Sequence, residues 1–249
     1  MDNALVAATV LGLAMALAPS AGAAELKVLA GGSMTASLKE LGPAFERQSG
    51  HKVDIRFGAA PELIKMATSE PFDIGVVPVE VMKNEAARAK FAPGPTTDVA
   101  QIGFGVAVRA GAPKPDVSTP EALKATLLKA QSVTFLPESS AGGYVLKVFD
   151  RLGIADAMKA KTRPQTTPGA IPQAVAKGDA ELGIFLTNVL IAPGVELAGP
   201  FPGDLQLDFV LTAAVAAESK QAEAAKAFLA FLKTQEAAAV FKTKGVTPK

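Results

Sequence analysis

The sequence predicts an α/β protein of two lobes, each a mixed, mostly parallel sheet flanked by helices, with two crossing strands between them. Three observations carry this. Strand-like and helix-like stretches alternate along the chain, the pattern of parallel sheets covered on both faces. Short apolar runs stop at small residues just where helical spacing begins, as in "VLAGGSMTASLKEL" near the start. The 249 residues also suffice to bury two small cores.

The elements follow in order. Residues 26–30 read as a strand. Helical spacing over 34–48 runs through Leu38, Leu41 and Phe45, and Gly50 ends it. At 52–57, Val53, Ile55 and Phe57 alternate onto one face of a strand. A short helix at 61–68 has Pro61 in its first turn, where a missing N–H costs nothing. A strand at 73–77 and a helix at 79–90 come next, then an irregular stretch, "APGPTTD", at 92–98. Residues 103–109 form a strand. The turn-rich "AGAPKPDVSTPEAL" leads to a helix capped by Ser118 or Thr119, with Pro120 just inside. A strand at 133–136, a helix at 142–152, a helix at 169–177 stopped by Gly178, and a strand at 182–186 follow. A long apolar strand region at 206–217 precedes two closing helices, 220–232 and 235–242. The expected crossings are 103–109 and 206–215, so one lobe comprises 25–104 and 207–249 and the other 105–206.

Composition narrows the function. Lys and Arg number 25 against 24 Asp and Glu, so net charge implies no affinity for nucleic acid or a membrane surface. The chain has no Cys and one His, which excludes disulfides, thiol catalysis, and Cys- or His-cluster metal sites. No metal and no cofactor are expected. Residues 1–24, "MDNALVAATVLGLAMALAPSAGAA", hold an apolar run from Ala4 to Leu17, then Pro19 and the A-x-A pattern Ala21-Gly22-Ala23. This is an export signal cleaved near Ala23 or Ala24, and the run is short for a membrane span. Its first residues, Met1-Asp2-Asn3, lack the usual Lys or Arg.

Four places share one design, small residues leading into a helix: Gly32-Ser33-Met34, Gly58-Ala59-Ala60-Pro61, Ser139-Ser140-Ala141-Gly142-Gly143 and Thr166-Thr167-Pro168-Gly169. Each helix start offers unpaired N–H groups and the positive end of a dipole. Ser33, Ser139, Ser140 and Thr167 add hydroxyl donors. Capping explains any one of these places fully. Four of them facing one cleft beyond the strand ends suit an anion. His51 shows no catalytic partner in the sequence. Tyr144, the only tyrosine, is balanced between lining a cleft and packing. Glu138 is a turn residue before it is a base. No phosphate-binding glycine loop is present, and "GGSMT" lacks the second Gly of a nucleophile elbow.

These stretches, with "PFDIGVV", "PESSAGGYVLKVFDRLGI", "PGAIPQAVAKGDAELGIF" and "AAKAFLAFLKTQEAAAVFKTKGV", resemble the periplasmic molybdate-binding proteins of ABC importers. The resemblance runs in order over the whole mature chain. It implies a type II periplasmic-binding-protein fold, a periplasmic monomer, a small anionic ligand closed between hinged lobes, and a membrane permease as partner. In that family, serines at the first two helix starts, backbone N–H groups at the third and fourth, and a tyrosine hydroxyl hold the ligand. The resemblance places these at Gly32 and Ser33, at Ala60 and Pro61, at Gly142 and Gly143, at Thr167 and Pro168, and at Leu186. Ala60 and Leu186 thus stand where hydroxyls are expected, a loss of about 3–6 kcal/mol at about 1.5–3 kcal/mol per hydrogen bond to charge. Ser139, Ser140, Thr167 and Asn188 are the residues left to compensate. The stretch "PGVELAGPFPGDLQLDF" is similar to a divergent branch that includes periplasmic aconitate isomerases. The expectation is therefore an importer's binding protein for a molybdate-like oxyanion or small carboxylate. The alternative is an isomerase of an unsaturated tricarboxylate, whose base would come from Glu138, Glu62 or His51, with Arg56 and Lys65 as nearby cations.

Overall fold

A computed structural model describes residues 23–249. The expected export signal over 1–22 lies outside the described residues. From Glu25 the chain runs β1 (Glu25–Gly31), a 3₁₀ turn (Gly32–Met34), α1 (Thr35–Ser49), β2 (Lys52–Gly58), α2 (Ala60–Ser69), β3 (Ile74–Pro78), α3 (Val79–Lys83), α4 (Glu85–Arg88) and β4 (Thr97–Ile102). It continues through β5 (Phe104–Arg109), α5 (Pro120–Lys129), β6 (Val133–Phe135), α6 (Ser140–Arg151), α7 (Ala155–Lys161), β7 (Thr162–Pro164), α8 (Ala170–Lys177), β8 (Leu182–Leu186), α9 (Thr187–Leu190) and β9 (Val195–Pro200). A 3₁₀ turn (Gly203–Leu205), β10 (Phe209–Val215), α10 (Ala222–Leu232), α11 (Gln235–Thr243) and β11 (Thr247–Pro248) complete it.

Most expected elements stand within a few residues of their predicted ends. The helix expected over 79–90 is two short pieces, because the Asn84 side chain accepts from Ala87 N–H at 3.0 Å and starts a second helix. The stretch expected to be irregular ends in β4, which alternation did not reveal; its polar Asp98 and Gln101 obscure the apolar run. Short β7, β9 and β11, and helices α7 and α9, were also not anticipated. Thr119, not Ser118, caps α5.

The strands form two sheets, ordered β11-β4-β10-β3-β1-β2 and β7-β6-β8-β5-β9. Each has a parallel core, β2-β1-β3 or β7-β6-β8, extended by antiparallel strands. In the first sheet Gly31 pairs with Gly58, so β1 and β2 end level and the starts of α1 and α2 lie side by side. That register, rather than helix propensity, places two donor-rich helix starts at one edge. Both faces of this sheet are covered. On one, Phe45 of α1 meets Phe228 and Phe231 of α10, ring centroids 5.0 and 5.6 Å apart. On the other, Leu63 and Ala67 of α2 pack with Phe72 and Phe91. Burying each such Leu or Phe contributes about 1.5–3 kcal/mol.

The chain passes between the sheets at Gly103, from β4 to β5, and again over residues 201–208, from β9 to β10. The Gln206 side chain binds these passages together. Its Oε1 accepts from Phe104 N–H at 2.7 Å, and its Nε2 donates to the Phe104 carbonyl at 3.0 Å. Phe201 N–H donates to the same carbonyl at 3.0 Å. Tyr144 Oη donates to the Leu205 carbonyl at 2.9 Å, with its ring 4.9 Å from that of Phe104. Burial raises the Tyr144 pKa above its ordinary value of 10.0. Arg151, on the same helix, donates to the Asp204 carbonyl and pairs with its carboxylate. Tyr144 therefore packs at the crossing. His51 is structural too: its Nδ1 accepts from Ala24 N–H at 3.1 Å and holds the start of β1.

Candidate functional site

The four helix starts differ in how their donors are used. At the first, Thr35 Oγ1 donates to the Gly32 carbonyl at 2.7 Å, while the Ser33 hydroxyl, on a residue 9% exposed, has no partner among the described residues. A side chain at Gly32 would meet Pro168 of the other lobe at 3.3 Å, so the small residue lets the lobes approach. At the second, Ala59 offers no side-chain acceptor, and the Glu62 carboxylate accepts from Ala59 N–H at 3.0 Å. At the third, Ser139 Oγ donates to the Leu136 carbonyl at 2.8 Å and accepts from Gly142 N–H at 2.9 Å. Gly143 N–H bonds the Ser139 carbonyl at 2.8 Å. Gly142 must be glycine, because a Cβ there would lie 1.8 Å from the Leu136 carbonyl oxygen. Among the described residues, the N–H groups of Ser140 and Ala141 have no protein acceptor. At the fourth, the Thr167 and Pro168 carbonyls accept from Ala170 and Ile171, each at 3.2 Å.

These starts line two neighbouring spaces that share Gly32, Ser33, Gly58, Ala59 and Pro168. The inner cavity, about 30 Å³, is on the scale of one or two water molecules. Ala60, Leu136, Phe185, Leu186 and Phe209 make it largely apolar, with Ser33, Ser139 and Ser140 as its polar members. The outer cleft, about 820 Å³, is the size of an organic-ligand site. Its walls include Thr35, Lys39, Glu62, Thr167, Gln173 and Asn188. A hydrogen bond crosses it: Asn188 Nδ2 donates to the Ser33 carbonyl at 2.6 Å.

Residues 26–247 match the family model described as bacterial extracellular solute-binding protein. The chain belongs to that family. Among curated relatives, an aconitate isomerase of Pseudomonas sp. is 33% identical over 90% of this chain and 87% of its own. A molybdate-binding protein of Azotobacter vinelandii is 27% identical over 92% of each chain. The solved structure of a periplasmic molybdate-binding protein of the same organism superposes with a TM-score of 0.72 at 21% identity, covering 89% of this chain and 98% of that one. This last likeness establishes the two-lobed fold.

In this solute-binding protein the sequence-predicted residues divide cleanly. Gly32, Ser33 and Pro168 line both spaces; Ala60, Ser139, Ser140 and Leu186 line the inner one alone; Thr167 and Asn188 line the outer one alone. Pro61, Gly142 and Gly143 line neither. The N–H groups of Gly142 and Gly143 turn back to Ser139, so the third helix start presents those of Ser140 and Ala141 instead. Ser139 spends its hydroxyl proton on Leu136 and has none to offer a ligand. Of the charges expected near the second helix start and the third, Arg56 pairs with Glu70, and Lys65 and Glu138 line neither space. Sequence reasoning missed Lys39. It stands one helical turn beyond Thr35 on the same face of α1, lines the outer cleft, and has no ion pair among the described residues. Lys39 lies beyond the helix start itself, where the cleft wall continues down α1.

Proposed function

We propose that this protein is the periplasmic binding component of an ABC importer, taking a small anion between lobes formed by 25–104 with 207–249 and by 105–206. The unpartnered Ser33 hydroxyl, buried where helix starts from both sheets meet, is the observation that carries the reading. It supplies a neutral donor among free N–H groups at the positive ends of helix dipoles, the environment an anion needs. Lys39 adds a positive charge on the wall. Hinge closure over the ligand would present the two lobes to a membrane permease. The test is thermal unfolding of the protein with molybdate, tungstate, sulfate, phosphate, citrate, cis-aconitate and trans-aconitate. A ligand at a thousand times its Kd adds about 4 kcal/mol, or roughly 8–16 °C for a chain this size. A flat response to every anion sinks the reading.

The relative named aconitate isomerase favours a second reading, in which the same cleft moves a proton along an unsaturated tricarboxylate. Apolar Ala60 and Leu186 are compatible with an organic ligand. Incubation with cis-aconitate, followed by NMR, separates the two: a binder returns it unchanged.

A further inference from the structure

Two buried polar atoms at the cleft lack partners, and they are complementary. Ser33 Oγ is able to donate; Asn188 Oδ1 is able only to accept. The orientation of the Asn188 amide is dictated by its neighbour. Nδ2 donates to the Ser33 carbonyl at 2.6 Å, and turning the amide over would bring two oxygens face to face. Oδ1 is thus left buried without a donor, a state that structures rarely keep without a use.

The chemistry of the ligand follows from this pair. A fully deprotonated oxyanion presents only acceptors. It satisfies Ser33 and the free N–H groups of α6, but its charge opposes Asn188 Oδ1. A simple carboxylate has the same defect. A ligand that carries a carboxylate and a hydroxyl satisfies both: the carboxylate accepts a hydrogen bond from the Ser33 hydroxyl, and the ligand's hydroxyl donates to Oδ1. The 820 Å³ of the outer cleft admits such a molecule, and Lys39 on the same wall matches a further carboxylate.

We infer that the cleft selects a hydroxy-substituted organic acid, and that Asn188 is the residue that reads the hydroxyl. The inference rests on the anion-binding reading above and names the ligand class for that site.

Titration calorimetry with matched pairs tests it: malate against succinate, citrate against tricarballylate, with molybdate as the metal oxyanion. A site built to bond a hydroxyl discriminates strongly against the analogue lacking it, so the hydroxy acid of at least one pair should bind roughly 10-fold tighter or more. Asn188→Leu should bring that ratio to about one. Asn188→Asp replaces the Nδ2 donor by an oxygen against the Ser33 carbonyl and adds a negative charge at the cleft, so it should weaken every anion. Thermal melts confirm that both variants fold. Equal binding within both pairs, binding of molybdate alone, or a preference that survives Asn188→Leu overturns the inference and leaves anion binding standing. Failure of every anion overturns both.

Discussion

Ser33 and Ser139 occupy matching places in the two lobes, each just beyond a strand and before a helix, yet their hydroxyls are used differently. Ser139 is fully engaged, donating to Leu136 and accepting from Gly142. The Ser33 hydroxyl is buried and engages no partner among the described residues. The difference teaches that a serine at a helix start is left free to donate only when the local backbone does not claim it. In α6 the chain tightens through Gly142 so that the cap closes. At α1 a 3₁₀ turn precedes the helix, and Thr35 takes the local bond to Gly32 instead.

The comparison breaks most violently at Gly142. Gly142→Ala should destabilise by about 3 kcal/mol or more through collision with the Leu136 carbonyl. The melting temperature should drop by roughly 6–12 °C; an unchanged melt would show that the α6 start is not held by that contact. Next comes Ser33→Ala, which should weaken the ligand found in the anion panel roughly 10- to 150-fold, the value of one hydrogen bond to charge. Its melting temperature without ligand should not fall, because the hydroxyl has no partner to lose. Ser139→Ala should behave in the opposite way, costing about 1 kcal/mol of stability and roughly 2–4 °C while affinity holds. Calorimetry and melting curves on both serine variants settle the contrast, and two identical profiles would abolish it. The smallest effect concerns pH. The Tyr144 pKa is raised by burial, so its contribution is intact below 10.0, the ordinary tyrosine value, and is lost as pH climbs through the folded-state value. Urea titrations across that alkaline range should show declining stability, with the Tyr144-dependent part absent from Tyr144→Phe.

The parallel strands β1, β2, β3, β6 and β8, unlike three-residue β7, which is too short to show a pattern, were legible because apolar runs such as "LKVLA" and "LGIFL" stand out between helical stretches. β4 was not, because its pairing with β10 is set by the sheet and not by its own polar sequence, "TDVAQI". The same limit applies to the site. Gly32, Ser33 and Asn188 were visible as residue types at a helix start or strand end. That Gly142 packs against the Leu136 carbonyl, and that Asn188 reaches Ser33 across 155 positions of sequence, are tertiary facts. Lys39 lay within reach of sequence reasoning, since Thr35 and Lys39 share a helical face.

The bracket at the crossing also gives the protein an optical property. The chain has one tyrosine and no tryptophan. Its intrinsic fluorescence therefore comes essentially from a single ring, tilted against Phe104 and hydrogen-bonded to Leu205, where the two passages between the sheets meet. A lobe rotation that disturbs that bond changes the emission of the unlabelled protein, so opening and closing can be timed by stopped-flow without attaching a dye.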